Sequence, residues 1–315
     1  MIQPALNPAL SPAPSHRTLR FGPAELELGG AHLGEMRDAN ALLDDPQALR
    51  ARLADDGYLL VRGLHDPALV LKARRQMAEC LAAEGQLDAT APIMDLVPRP
   101  ESQGGFFGGD HDLTKCPAFQ ELVSRDRVMG FFQHYFQAPV RTFDFKWLRL
   151  VGHGSFTGAH LDVVYMGRGT QDLYTCWTPL GDVPFEQGPL AICAGSHRLP
   201  GFAKMQETYG SMDVDRDHVQ GWLTSDPVEV VERFGGRWLT TEFKAGDALV
   251  FGMRTLHASL TNVSDRLRLS SDTRYQRAAD PADERWIGEK PIAHYAWNTP
   301  GKNVDMAEMR KRWGI

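Results

Sequence analysis

The chain is short of cysteine and has no cysteine pattern. Cys80, Cys116, Cys176 and Cys193 are widely spread, with no C-x-x-C pair among them. That excludes a zinc-knuckle spacing and a disulfide framework, and leaves reduced, buried thiols as the expectation. No run approaches the ~20 apolar residues of a membrane span. The opening segment lacks the basic start and continuous apolar stretch of a signal peptide, so a cytoplasmic protein without a membrane partner is expected. There is no Lys/Arg block: 34 basic residues stand against 40 acidic ones, for a formal charge of -6, and a nucleic-acid partner is not expected. Dinucleotide and P-loop glycine patterns and internal repeats are also missing. What is present is 43% apolar residues in 315, enough for a substantial core in one large domain or two small ones.

Pro4, Pro8, Pro12 and Pro14 predict an extended arm over residues 1–20, mobile unless it docks on the body or on a neighbouring subunit, which would admit a homodimer. Residues 21–315 read as one domain. Its flank over about 45–137 is helical. Asp45 to Asp56 has Pro46 inside an acidic start and Gly57 as its stop, and Pro67 to Ala83 carries a stripe of Leu69, Ala73, Met77 and Leu81. Between them Tyr58 to Leu64 reads as a buried strand, and Phe119 to Phe136 as one further amphipathic helix. Gly104 to Asp112, two phenylalanines among four glycines, suggests a loop that is either an active-site lid or a surface turn.

Beyond Pro139 the pattern changes to short strands broken by Gly, Pro and Asp. These are Arg141 to Val151, Leu161 to Met166, Leu173 to Pro179, Leu190 to Cys193, Trp238 to Phe243, Ala248 to Gly252 and Leu267 to Gln276, apart from a short early strand read at Ala24 to Leu28. With no helix regularly between them, they predict an antiparallel sandwich or barrel over about 139–278, in a mainly β, α+β protein. The insertion from Leu199 to about Glu232 lies where a substrate-covering element would fit, and residues 279–315 read as a tail packed on the outside.

The chemistry concentrates at His160-Leu161-Asp162. An imidazole and a carboxylate at i and i+2 share one side of an extended backbone, and His257 is the best third ligand. Two His and one carboxylate on one face of a metal suit a non-haem Fe(II) oxygenase, and also a catalytic zinc. Downstream, Arg268, Ser270, Asp272 and Arg274 share one face of a strand, where a guanidinium could grip a dicarboxylate. Phe145, Trp147 and Arg149 alternate in the same way, and Arg149, if buried, needs an anion.

These segments together resemble the phytanoyl-CoA dioxygenase family of Fe(II)/2-oxoglutarate-dependent oxygenases. The resemblance rests on His160-Leu161-Asp162, Trp177-Thr178-Pro179-Leu180, Glu186-Gln187-Gly188-Pro189-Leu190, Ala194-Gly195-Ser196-His197-Arg198, His257-Ala258-Ser259 with Arg268, and Asp55 to Leu64. It runs from about residue 50 to 278 and departs only where Ala194 replaces the usual Pro. It implies a double-stranded β-helix, the cupin-like jelly roll. By motif position it implies iron on His160, Asp162 and His257, and the distal carboxylate of 2-oxoglutarate on Arg268. Ser259 would assist Arg268, with Trp177 and Thr175 beside the cosubstrate. Arg266 is the rival for the anchoring role.

Such a site binds O2 beside the cosubstrate, releases succinate and CO2, and by default hydroxylates a small organic molecule. The retained Asp162 disfavours halogenation, because family members that halogenate generally lack that carboxylate. Phe106, Phe107, His111, Arg149, Tyr165 and Arg274 are the candidate substrate contacts; His111 and His153 read equally as surface or structural histidines. A non-catalytic ligand-binding jelly roll and a zinc hydrolase are the competing readings.

Overall fold

The computed structural model describes residues 17–102, 104–109, 111–295 and 304–315. The proline-rich arm as far as residue 16, and residues 296–303 of the tail, lie outside the described residues. After the hairpin β1 (Thr18–Phe21) and β2 (Ala24–Glu27) come β3 (Leu33–Glu35), α1 (Pro46–Asp56), β4 (Tyr58–Val61) and α2 (Pro67–Ala83). Then follow β5 (Gly104–Gly108), α3 (Asp112–Lys115), α4 (Pro117–Ser124), α5 (Asp126–Phe136), β6 (Val140–Thr142), β7 (Trp147–Val151), α6 (Val163–Met166), β8 (Tyr174–Pro179) and β9 (Leu190–Ala194). The insertion holds α7 (Ala203–Glu207), α8 (Val214–Asp217) and α9 (Pro227–Phe234). The chain closes with β10 (Arg237–Thr240), β11 (Ala248–Gly252), β12 (His257–Ser259), β13 (Arg268–Arg277) and α10 (Met306–Trp313).

The strands form the two sheets of a jelly roll. The larger runs β4-β11-β8-β13-β7-β5, with β6 also on β13; the smaller runs β12-β9-β10-β3. Every pairing is antiparallel except β10 with β3. Alternation along the strands divides the larger sheet into two faces. Leu59, Val61, Cys176, Val250 and Tyr275 face outward against α1 and α5, and Leu148, Leu150 and Leu269 against α2 and α4. The inner face sends Tyr58, Leu60, Trp177, Leu249 and Phe251 against Leu190 and Ile192 of β9, and this intersheet layer is the floor of the barrel.

The helical flank follows its sequence signals. Asp45 caps α1 by accepting from Gln47 and Ala48 N–H, and Gly57 ends it in the left-handed region at φ 84°. Five expectations need correction. Phe119 to Phe136 is two helices, because Arg125 is extended (φ -137°, ψ 171°) between α4 and α5. Arg141 to Val151 is likewise two strands, β6 and β7. Leu161 to Met166 is not a strand: the Asp162 carbonyl accepts from Tyr165 and Met166 N–H and winds α6. A short run buried on all sides carries no periodicity to separate the two forms.

Gly104 to Gly108 is not a lid loop either, but the edge strand β5 on β7. Its glycines serve close packing. A Cβ on Gly104, at φ 80°, would lie 2.3 Å from the Leu150 carbonyl oxygen. The tail is also more than an outer layer. Trp286 is fully buried, with its ring 4.9 Å from Trp147 and 5.2 Å from Phe145. No helix among the described residues is long and apolar enough to cross a membrane.

Phe132 on α5 stacks on Tyr275 of β13 at 4.3 Å and is fully buried. Phe132→Ala should therefore cost about 3–5 kcal/mol by the usual cost of an aromatic cavity, read as a lower urea midpoint at unchanged m-value.

Candidate active site

His257 and Ser259 on β12 lie opposite Ile192 and Leu190 of β9, so their side chains share the inner face. The backbone of His160 exchanges both hydrogen bonds with that of His257, at 3.0 and 3.1 Å, which brings the two rings to 4.1 Å. Asp162 arrives by a route the extended-strand argument did not foresee. Its backbone is helical (φ -65°, ψ -27°), at the start of α6. One ligand atom from each of His160, Asp162 and His257 falls within 4.8 Å of the others, and all three residues are buried. These three can hold a metal ion.

Their hydrogen bonds fix which atoms face the centre. Nδ1 of His160 meets the Gly158 carbonyl at 2.8 Å, and Nδ1 of His257 meets the Thr255 carbonyl at 3.0 Å. A carbonyl only accepts, so both Nδ1 atoms carry the proton and both Nε2 atoms are left as bare donors to a metal. Those Nε2 atoms lie 3.9 and 3.7 Å from Oδ1 of Asp162. Oδ2 is occupied: the Thr175 hydroxyl and Nη2 of Arg274, at 3.1 Å, both donate to it.

Burial pushes the His160 pKa down to about 3, with His257 adding to it, so the ring is neutral as a ligand must be. Burial alone would raise the Asp162 carboxyl, but Arg274, His257, His160 and the Thr175 hydroxyl outweigh it and hold it ionised.

Arg268 lies on β13, its side chain 5.8 Å over Trp177 and 1% exposed. One Nη donates to the Gly188 carbonyl. That carbonyl depends on glycine, since a Cβ on Gly188 (φ 66°) would meet the Leu260 oxygen at 2.4 Å. Nε and Nη2 of Arg268, Nε1 of Trp177 and Oγ of Ser270 are buried with no hydrogen-bond partner among the described residues. Burial, and then Arg149, push the Arg268 guanidinium down to about 10. A buried cation with idle donors is a built receptor for an anion. Arg266, the rival, is half-exposed and pairs with Asp95 at 3.1 Å. Ser259 accepts from Thr157 N–H at 2.9 Å and keeps its own proton to donate.

Beside the trio is a cavity of about 240 Å³. Of the expected substrate contacts, Phe106, Arg149, Tyr165 and Arg274 line it, joined by Trp147, Met166, Trp222 and His294. Phe107 and His111 do not. β5 alternation turns Phe107 to the helical side, where its ring meets His111 at 4.6 Å. Thr175 donates its hydroxyl to Asp162. His153 is at the surface, on the Ser264 carbonyl. Arg149 has its anion in Asp272, at 2.5 Å, and lies over Phe106. Trp222 and His294 carried no local signal, since each comes from an irregular segment. His294 is placed by Asp215, which accepts from its Nδ1 at 2.8 Å and is itself paired with Arg285.

Comparison with known proteins agrees with this geometry. The family model described as phytanoyl-CoA dioxygenase (PhyH) matches residues 53–270. A 1-deoxypentalenic acid 11-beta-hydroxylase of Streptomyces exfoliatus is 27% identical over 258 residues, 78% of this chain and 87% of that protein. Among solved structures, the epimerase SnoN in complex with Fe3+, alpha ketoglutarate and nogalamycin RO aligns with a TM-score of 0.55 at 21% identity, over 83% of this chain and 93% of its own. The carbocyclase SnoK from nogalamycin biosynthesis aligns with a TM-score of 0.55 at 19% identity, over 85% and 96%. At these identities the two structures speak for the fold.

Thr175→Val keeps the side-chain shape and removes a donor to Asp162. It should weaken metal binding about ten- to a hundredfold, the usual effect of losing an outer partner of a ligand, measured by equilibrium titration of the metal-free protein with Fe(II) under anaerobic conditions.

Proposed function

The chain belongs to the phytanoyl-CoA dioxygenase family, and from that membership we propose that it hydroxylates a small organic metabolite held in the cavity beside His160, Asp162 and His257. The enzyme is an iron(II)- and 2-oxoglutarate-dependent dioxygenase. When bound, iron and 2-oxoglutarate supply the activation of O2, with succinate and CO2 as co-products and one oxygen atom delivered to a C–H bond.

The residues divide that work. His160, Asp162 and His257 would hold the iron on one face and leave the other open, through two bare Nε2 atoms and the Oδ1 that Thr175 and Arg274 leave unengaged. Arg268 would take the distal carboxylate of the cosubstrate, with Ser259 as a second donor; Trp177 would close the side of that pocket. Phe106, Trp147, Tyr165 and Trp222 give the substrate a largely apolar wall. Retention of Asp162 supports oxygen insertion over halogenation, and the hydroxylase relative supports it further.

The observation that carries this reading is a buried trio of metal donors together with the idle donors of buried Arg268. A zinc hydrolase has no use for the second feature, and a passive binding module has no use for the first.

Purified enzyme with Fe(II) and 2-oxoglutarate should release succinate when a panel of candidate metabolites is offered, and a chelator should stop it. His160→Ala and Asp162→Ala should lose turnover while keeping the far-ultraviolet circular dichroism of the parent; full turnover in either rejects the assignment. Arg268→Ala should raise the 2-oxoglutarate requirement on the order of a hundredfold, since it removes the partner of a buried carboxylate. Arg266→Ala should leave it within about twofold of the parent, as expected for a surface pair.

A further inference from the structure

We propose that Tyr209 is a positioning residue that couples the metal site to the cavity wall on which substrate rests. This depends on the function just assigned, with His160, Asp162 and His257 as the metal ligands. One hydroxyl, shared between two backbones, carries it.

The chain turns sharply at the ligands. His160 is bonded through its backbone to His257 as in a strand, while Asp162 is already helical at the start of α6. Leu161 lies between them, fully buried, where neither a ladder nor a helix offers its N–H an acceptor. The Tyr209 hydroxyl oxygen accepts that N–H, at 3.3 Å. A carbonyl only accepts, so the proton of the same hydroxyl goes to the Gly221 carbonyl. Tyr209 is itself fully buried, and neither backbone group has another partner among the described residues.

Gly221 precedes Trp222, the aromatic residue of the insertion that lines the cavity. Its place is tight, because a Cβ there would collide with the hydroxyl of Tyr165, another lining residue. From Gly221 the segment runs along the ligand-bearing chain. The Trp222 ring covers Gly158, where a Cβ would lie 2.6 Å from it, and the Gly158 carbonyl is the acceptor for Nδ1 of His160. Leu223 N–H donates to the Ala159 carbonyl at 2.8 Å, and Ala159 N–H to the Thr224 carbonyl at 2.9 Å. All three contacts meet the chain before His160. Among the described residues, Tyr209 supplies the hydrogen-bonded link to Leu161, between the two ligands.

A hydroxyl that accepts from one backbone and donates to another holds the two at a fixed separation. Moving the Trp222 segment outward withdraws the acceptor and leaves the buried Leu161 amide unpaired. A metal that fixes His160 and Asp162 therefore opposes that motion. By reciprocity, a substrate seated on Trp222 favours the turn that presents both ligands.

The test compares the parent with Tyr209→Phe, which keeps the ring and removes the hydroxyl. Hydrogen exchange over residues 159–166 and 218–225 is read by mass spectrometry on the whole chain under anaerobic conditions, with and without Fe(II) and 2-oxoglutarate. In the parent, loading should slow exchange in both stretches, on the order of tenfold at 218–225, as expected of coupled sites. In Tyr209→Phe the slowing should persist at 159–166 and fall to within about twofold at 218–225. The absorption of the cobalt(II)-loaded protein, which reports how the three ligands are arranged, should differ between the two. Trp313, whose ring lies 6.3 Å from that of Tyr209, gives the control. Trp313→Leu strips packing from the ring but leaves the hydroxyl, and should behave as the parent.

Absence of slowing at 218–225 in the loaded parent overturns the proposal without any variant. So does full slowing there in Tyr209→Phe, an unchanged cobalt spectrum, or an equal loss in Trp313→Leu. Failure of the dioxygenase reading is seen separately, as a parent that shows the slowing yet releases no succinate across the metabolite panel.

Discussion

The division of Asp162 between two sets of partners is the constraint on which the site depends. Arg274 and Thr175 take one carboxylate oxygen and turn the other towards the two histidines. Three buried groups of opposing tendency are reconciled by this arrangement. Burial would protonate the acid and repel the arginine's charge, while two imidazoles at 4.1 Å would have to stay neutral. Placed together, the carboxylate remains ionised, the guanidinium has its counter-charge, and the imidazoles present lone pairs. The metal-binding face is therefore shaped by the protein's own electrostatics, and an incoming cation meets ligands already oriented.

The larger sheet makes this possible. β13 carries Arg268, Asp272 and Arg274 on its inner face, β8 carries Thr175 and Trp177, and the registers Arg274 with Thr175 and Asp272 with Trp177 bring these side chains together. Asp272, Thr175 and Trp177 have strand partners on both sides, while Arg268 is paired with β7 and Arg274 with β8. The helical flank covers the opposite face with leucine and phenylalanine, so a polar interior is supported from behind by a fully apolar layer. That order is the reverse of an ordinary sandwich, where the interior is the dry side. The floor of the barrel, with Tyr58, Leu249 and Phe251, keeps the ordinary arrangement and supplies the core that the wet end lacks.

Much of the site was legible in the sequence, because it depends on period-2 alternation within strands and on local motifs. The inner face of β13 and the pairing need of Arg149 were open to alternation, and His160, Asp162 and His257 to local motifs, although Asp162 reaches the site from the start of α6 and not from an extended strand. The glycines around Phe106 and Phe107 were ambiguous. Gly appears both in mobile loops and where backbones crowd, and the Leu150 carbonyl that demands it at Gly104 is distant in sequence. The winding of α6 was hidden because a run buried on all sides shows no period. His294 and Trp222 were out of reach for a different reason: His294 is placed by its contact with Asp215, and Trp222 by a backbone bridge of Leu223 and Thr224 to Ala159, both between segments far apart in the chain, which leave no local pattern.

The buried network of Arg285 with Asp213, Asp215 and Asp283 has a consequence for how the cavity is built. It fastens the segment bearing His294 to the body with charges rather than with strand pairing. The cavity thus has one wall built from a continuous sheet and another built from irregular segments held by charged side chains, the buried Trp286 ring and isolated backbone bonds to Ala159, Asp144 and Phe145. The irregular wall adds no strand to either sheet, so the register of β7, β8 and β13 is set without it. The shape of the cavity and the orientation of the metal-holding atoms therefore rest largely on different parts of the chain, meeting at the bridge of Thr224 to Ala159 beside His160.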